Sequence, residues 1–328
     1  MIRLFANANY DFIRRRRWAY GLTAMLLVPG LALLLVRGIN YSIEFTGGTA
    51  IQIRTTTAVG VARLRAALGA GGVAGAEVTT FGSDTEYLIR ARVSAEEGDA
   101  STQATAAAVG RVLDGTLGAG TYQLDRVETV GPKVGRELQG KALLAILLSF
   151  VATMVYLAFR FEWRFGVAAV VATAHDILAT IAFLSLLDLE VSLVVVAAVL
   201  TVLGYSLNDT IVIFDRVREN LRKYRRQNLY DILNLSVNET LPRTILTGGS
   251  TFATSLVLAF FAGEVIKPFA LVMSFGILVG TFSSIYVAAP ILIAIEARWP
   301  GEDARGARQI GTPAAAGAAA GRASQPAR

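Results

Sequence analysis

The chain of 328 residues has no cysteine and a single histidine, His175. No disulfide framework or thiolate metal site can form, and an all-histidine metal centre is equally excluded. Charge is scarce too: Asp, Glu, Lys and Arg make up 17% of the residues against 54% hydrophobic ones. Mean hydropathy is +0.52. With apolar runs long enough to cross ~30 Å of hydrocarbon, such a chain reads as an integral membrane protein. The net charge of +6 does not point to nucleic acid, because the basic residues flank the apolar runs, where they set topology.

Six apolar runs stand out, at 19–36, 142–159, 165–187, 191–214, 244–262 and 268–295. The first follows Arg14, Arg15, Arg16 and Arg17 as a signal peptide core would, but it is longer than such a core and no small-residue cleavage site follows. It reads as a first span. Arg160 with Arg164, the cluster Arg216, Arg218, Arg222, Lys223, Arg225 and Arg226, and the tail with Arg298, Arg305 and Arg308 fall on the same side as Arg14–17. The short loops opposite hold Asp188 and Glu190, then Glu264 and Lys267. Excess Lys and Arg mark the cytoplasmic side, so both termini (1–18 and 296–328) are expected there.

Residues 38–140 are then left outside as an inserted domain. Strands are predicted over 48–55, 76–81, 86–93 and 121–130, and helices over 58–68 and 100–117. The order β-α-β-β-α-β is that of a ferredoxin-like split βαβ unit. It contains no nucleophile–base constellation and reads as a contact module. Between spans 4 and 5 (216–241), Leu229, Ile232, Leu233, Val237 and Leu241 recur at helical spacing, which predicts an amphipathic helix along the membrane surface. The last ~25 residues, rich in Ala, Gly and Pro, read as disordered.

The most informative residue is Asp209, in the apolar fourth run. It lies about six residues, roughly 9 Å of helix, before the charged exit at Asp215 and Arg216. A carboxylate there costs on the order of 2.5–3.5 kcal/mol on insertion scales, so it should face a bundle interior or a water-filled path. Thr201, Tyr205 and Asp209 share a helical face, flanked by Asn208 and Thr210. Span 3 brings His175 and Asp176 to mid-membrane. Arg243, Thr247, Ser250, Thr251 and Thr254 run down a face of span 5, where Gly248 and Gly249 would admit another helix. An Asp209–Arg243 pair, direct or bridged by water, is sterically reasonable, and its static alternative is a helix clasp. Asp209, Arg243, Asn208, Tyr205 and Thr247, with Asp176 as a weaker member, are the candidates for a proton relay. Protonation would neutralise the acid and let two packings exchange. A two-aspartate intramembrane protease would need a Gly-x-Gly-Asp motif, which is absent, and no enzyme activity or cofactor is expected.

Several motifs carry a resemblance to a known family. They are Glu44-Phe45-Thr46-Gly47-Gly48-Thr49, Val130-Gly131-Pro132-Lys133-Val134-Gly135, Ala174-His175-Asp176, and the run from Gly204-Tyr205-Ser206-Leu207-Asn208-Asp209-Thr210 to Arg218-Glu219-Asn220. Over roughly residues 10–298 the chain resembles the SecD/SecF protein-export family of the RND superfamily, on its SecF side. The resemblance implies a six-span RND-type bundle with a periplasmic domain in the bacterial inner membrane. It also implies pairing with SecD, association with the SecYEG channel, and use of the proton-motive force to help move unfolded exported polypeptides. The family's membrane aspartate falls on Asp209 and its span-5 arginine on Arg243. Glu44 stands where the family usually has aspartate, and Gly248 where a hydroxyl is common. A passive assembly subunit and an RND-type small-molecule transporter are the alternatives. Such transporters usually carry about twice as many spans in one chain.

Overall fold

A computed structural model describes residues 8–299 apart from 74, 92–97, 119 and 226, with only the backbone given for 98–103. The tail expected to be disordered, Arg226, and the last two residues of the expected strand 86–93 lie outside the described residues. In chain order the elements are α1 (Arg16–Arg37, after a 3-10 turn at Ile13–Arg15), α2 (Ile43–Thr46), β1 (Gly48–Thr55), α3 (Val61–Ala70), β2 (Glu77–Phe81), β3 (Ser83–Ala91), α4 (Gly98–Leu117) and β4 (Tyr122–Val130). There follow α5 (Pro132–Arg160), α6 (Trp163–Leu186), α7 (Leu193–Lys223), α8 (Leu229–Phe261), α9 (Lys267–Ser283) and, after a π-helical turn at Ser284–Ala288, α10 (Ala289–Arg298). Among the described residues, six helical stretches are long and apolar enough to cross a membrane.

The inserted segment forms a four-stranded antiparallel sheet in the order β2-β3-β1-β4. Alternation sorts its side chains: Ile51, Ile53, Tyr87 and Ile89 share one face and pack with Leu64 and Leu68 of α3 and Val109 and Leu113 of α4. On the other face Gln52, Leu88 and Arg90 are half-buried, and the edge strand β4 is mostly exposed.

Two helices depart from the sequence expectation. α5 begins at Pro132, about ten residues before the apolar run, because proline at the first helical turn needs no N–H partner. α8 is one helix of 33 residues with Pro242 inside it. The expected separate surface helix over 229–241 is therefore a direct continuation of span 5. Its apolar stripe is buried by protein: Leu229, Ile232, Leu233 and Val237 pack with Ile13, Phe214, Val217 and Leu221. That burial outweighs the local disruption by proline, which neighbouring helices help membrane helices tolerate. The polar side of the same stretch grips the N-terminal segment. Asn238 accepts from the Tyr10 N–H and donates back to its carbonyl, both at 2.8 Å, and Asn234 accepts from the Ile13 N–H at 3.1 Å.

Three contacts tie the sheet to the bundle. Gly47 (φ +76°) lies so close to α5 that a Cβ there would fall 2.7 Å from the Pro132 Cα, and one on Gly135 would fall 2.9 Å from the Phe45 carbonyl oxygen. The Glu44 carboxylate accepts the Leu193 N–H at 2.6 Å. It thus caps α7, where the helix dipole favours negative charge. Arg90 on β3 forms an ion pair with Glu190. Burial pushes the Glu190 carboxyl up from its ordinary 4.5, and Glu44 and Glu77 add like-charge repulsion, against the opposing pull of Arg90. A carboxyl raised in the folded state contributes stability in its protonated form, which is lost as pH rises through the folded value. Hydrogen exchange of the β3 amides should therefore speed up from about pH 4.5 toward neutrality, beyond the intrinsic pH effect. Glu190→Gln should flatten that dependence, and an unchanged profile would remove Glu190 as its source.

Candidate functional site

The site is built where α7 and α9 approach closely. A Cβ on Gly276 would lie 2.2 Å from the Val202 side chain, and one on Gly280 would lie 2.8 Å from the Ser206 Cβ. This spacing of two glycines four residues apart is a small-residue helix contact, which lets backbones meet inside a bilayer. It brings the polar residues of α6, α7 and α9 to one place.

Asp176 on α6 lies at its centre, 2% exposed. One carboxylate oxygen accepts from the Ser206 hydroxyl of α7 and, at 2.7 Å, from the Ser283 hydroxyl of α9. The other lies 2.9 Å from the His175 Nδ1. Asp209 on α7 is 3% exposed and accepts one hydrogen bond, from the Thr281 hydroxyl of α9 at 3.2 Å. Beside it, the Thr210 and Ser284 hydroxyls meet at 2.8 Å. Ser284 also donates to the Gly280 carbonyl at 2.9 Å, where the helical ladder changes to π geometry. π turns occur often at functional sites.

Not every residue singled out from sequence joins this cluster. Arg243 is exposed, beyond ion-pair range of Asp209, and acts on it only as a more distant charge. No direct ion pair forms between them, because Arg243 sits on the exposed side of α8 while Asp209 turns toward α9. Thr247 is exposed and bonds back to the Arg243 carbonyl at 2.9 Å. Asn208 lies on the exposed side of α7, and Thr201 there bonds back to Ala197. The Tyr205 hydroxyl is buried, faces Thr247 and Thr251, and makes no hydrogen bond in hydrogen-bonding geometry. Gly248 explains the gap: a Cβ there would lie 3.5 Å from the Thr281 hydroxyl and 3.8 Å from that of Tyr205. A side-chain hydroxyl at 248 would stand between the two.

Sequence reasoning missed Ser206, Thr281, Ser283 and Ser284. Their signal was present, since Thr281, Ser283 and Ser284 cluster three hydroxyls within four residues of the mostly apolar sixth run, and Ser206 lies three residues before Asp209. Among the described residues no cluster of three His, Asp or Glu side chains could hold a metal ion. The arrangement suits holding charge and moving protons between carboxyl and hydroxyl oxygens.

Removing a hydrogen bond to a charged group typically costs about 1.5–3 kcal/mol. Ser283→Ala should destabilise the purified chain by about that much and so lower its thermal unfolding midpoint by several degrees. Thr201→Ala, which removes only an exposed back-bond, should leave it unchanged. Equal midpoints would mean that Ser283 does not support the Asp176 carboxylate.

Comparison with known proteins gives a consistent assignment. Residues 114–298 match the family model described as protein export membrane protein SecD/SecF, C-terminal, and residues 32–59 match the SecD/SecF GG motif. The chain is 51% identical over 315 residues to the protein translocase subunit SecF of Gemmatimonas aurantiaca, covering 94% of each chain. It is 38% identical over 286 residues to that of Escherichia coli O157:H7, covering 87% of this chain and 88% of that one. The crystal structure of SecDF, a translocon-associated membrane protein from Thermus thermophilus, aligns with a TM-score of 0.78 at 35% identity. That alignment covers 90% of this chain but only 40% of the longer SecDF chain. With a family model over more than half its length and relatives along nearly all of it, the chain belongs to the SecD/SecF family of protein export membrane proteins.

Proposed function

We propose that this chain is a SecF-type auxiliary subunit of the Sec protein translocase. In the bacterial inner membrane it pairs with SecD and uses the proton-motive force to help export unfolded polypeptides through the SecYEG channel. The observation that carries the reading is the pair of buried carboxylates, Asp176 and Asp209, each held by a hydroxyl from α9. In this reading Asp209 takes up and releases the proton. Arg243 supplies a distant positive charge, while Tyr205 and Thr247 border the route. Asn208 faces the side of α7 where a SecD helix would pack. The membrane potential supplies about 2.3 kcal/mol per charge per 100 mV, enough to bias two helix packings without rebuilding the core.

In this proposal the sheet lies on the periplasmic side and both termini in the cytoplasm, which the distribution of the basic clusters supports. The strand order with α3 and α4 in the crossovers supports a ferredoxin-like domain. Its span-to-sheet contacts through α2, α5 and α7 would let helix motion reach the emerging chain. The length of the SecDF relative supports a SecD-like portion outside this chain.

Proton flux and export rate should be measured in vesicles holding this chain, SecD and the channel, with wild type and Asp209→Asn at equal abundance. The expected outcome is loss of flux, with export falling to the level seen without a membrane potential. Preserved flux and export would reject the proton route through α7, and loss only through failed co-purification with SecD would make the chain an assembly subunit. Topology is checked separately, since the chain has no native cysteine. Thr57→Cys should react with an impermeant maleimide from outside the cell, and Lys223→Cys only after permeabilisation. The reverse pattern would invert the topology.

A further inference from the structure

α1 and α5 both pack on α6 yet scarcely touch each other. On the sheet side of the bundle this leaves a cavity of about 490 Å³, within the roughly 300–1,000 Å³ of ordinary ligand pockets. Its body is aliphatic, walled by Leu34 of α1, Leu143 and Ile146 of α5, Ile177 and Ile181 of α6, and Val199 of α7. Its mouth holds two guanidinium groups, Arg37 at the end of α1 and Arg136 near the start of α5. Both are exposed, and neither has an acidic partner within ion-pair range among the described residues. Asp188 is the one acid at the mouth, so these three groups carry a net positive charge.

The flanks of the opening face the bilayer. Leu144, Leu147, Leu148 and Val151 on α5 are exposed, as are Leu35 and Val36 on α1. Any occupant enters sideways from hydrocarbon. An extended polypeptide would bring N–H and C=O groups that these aliphatic walls cannot satisfy. A hydrocarbon chain brings none. Ile177 lies nine residues before the end of α6 at Leu186, about 14 Å along the helix and close to half of a ~30 Å hydrocarbon core. The site therefore has the depth of one leaflet, with positive charge at the level of the headgroups. Guanidinium forks match phosphate oxygens in bidentate geometry.

We infer that this cavity binds one phospholipid from the leaflet on the sheet side, with an acyl chain between α1 and α5 and its phosphate between Arg37 and Arg136. The lipid would fill the gap that the two helices leave. The site rests only on embedding in a bilayer, so it stands or falls apart from any proton route.

The test uses the full-length chain in its purified complex. Native mass spectrometry after detergent exchange would count retained phospholipid, and titration would compare dioleoylphosphatidylglycerol with dioleoylglycerol, which lacks the phosphate. One phosphatidylglycerol should be retained and should raise the unfolding midpoint, with dioleoylglycerol binding about tenfold more weakly. Ten-fold corresponds to about 1.4 kcal/mol. The double variant Arg37→Gln, Arg136→Gln, altered only at exposed positions, should show the same weakening for phosphatidylglycerol. Ile181→Trp, which fills the body of the cavity, should abolish retention. Equal retention by wild type and both variants would mean annular lipid only and overturn the inference. So would a cross-link from a lone Ile146→Cys to a helix of a partner protein, which would show that protein occupies the slot.

Discussion

The hydroxyls that hold the two buried acids reach them because α7 and α9 approach closely. An unaccompanied carboxylate in hydrocarbon is expensive, and donors can reach it only if neighbouring backbones come close. Gly276 and Gly280 remove the Cβ atoms that would collide with Val202 and Ser206. With them absent, Ser206 reaches Asp176 from one side and Ser283 from another, while Thr281 reaches Asp209. The two acids are not equivalent. Asp176 receives two hydroxyls and a neighbouring imidazole, whereas Asp209 receives one hydroxyl. A carboxylate with several donors is fixed in place, and one with a single long bond loses less when its charge is removed. That asymmetry suits Asp176 to anchoring the interface and Asp209 to exchanging a proton in the proposed cycle.

The motifs that look unrelated along the chain converge on one piece of mechanics. Glu44 to Gly48 and Gly131 to Gly135 lie almost ninety residues apart, on opposite sides of the sheet's sequence. In three dimensions they form a single backbone contact, tight enough that a side chain on Gly47 or Gly135 would strike the other segment. The same short α2 ends the first span's exit and caps α7 through Glu44. A longer or shorter acid at position 44 must still reach the Leu193 N–H, and the observed 2.6 Å shows that glutamate does. The helix carrying Asp209 and the helix following the sheet are thus held by neighbouring residues of one turn. Movement of either helix is felt at the root of the domain.

Much of this was legible in sequence. Apolar run length located the six spans, since a bilayer fixes the number of residues needed to cross it. Strand β1 has the expected bounds, 48–55, and β4 began one residue later than expected. What could not be read was set by partners far away in sequence. Pro242 marks a break by local rules, yet the stripe from Leu229 to Val237 is buried against α7 and the segment before α1, and the helix runs through. Arg243 is the right residue type at the right depth for pairing with Asp209. The choice between pairing and exposure rests on the rotation of α8 about its axis, which one sequence does not encode visibly. The donors to Asp176 were missed for a simpler reason: serine and threonine usually bond back to their own helix, as Thr247 and Thr254 do here.

The irregular turn at Ser284–Ala288 is where a change at the two acids would be expressed. α9 is held on the sheet side by Ser274, whose hydroxyl meets Ser255 of α8 at 2.8 Å. Beyond the turn, Glu296 of α10 pairs with Arg164 of α6 at 2.7 Å. Between these fixed ends, the hydroxyls of Thr281, Ser283 and Ser284 point at Asp209, Asp176 and Thr210. A π turn carries a wider ring and one extra residue, so it can pass that residue along the helix without breaking either end. A neutral acid no longer holds its hydroxyl by a charge-assisted bond, which is roughly twice as strong as a neutral one. In the proposed cycle, proton uptake therefore weakens the grip on α9 beside the one place where its ladder is already irregular. A discrete shift of that helix follows more readily than a uniform stretch, because packed helices exchange between alternative arrangements and do not deform continuously.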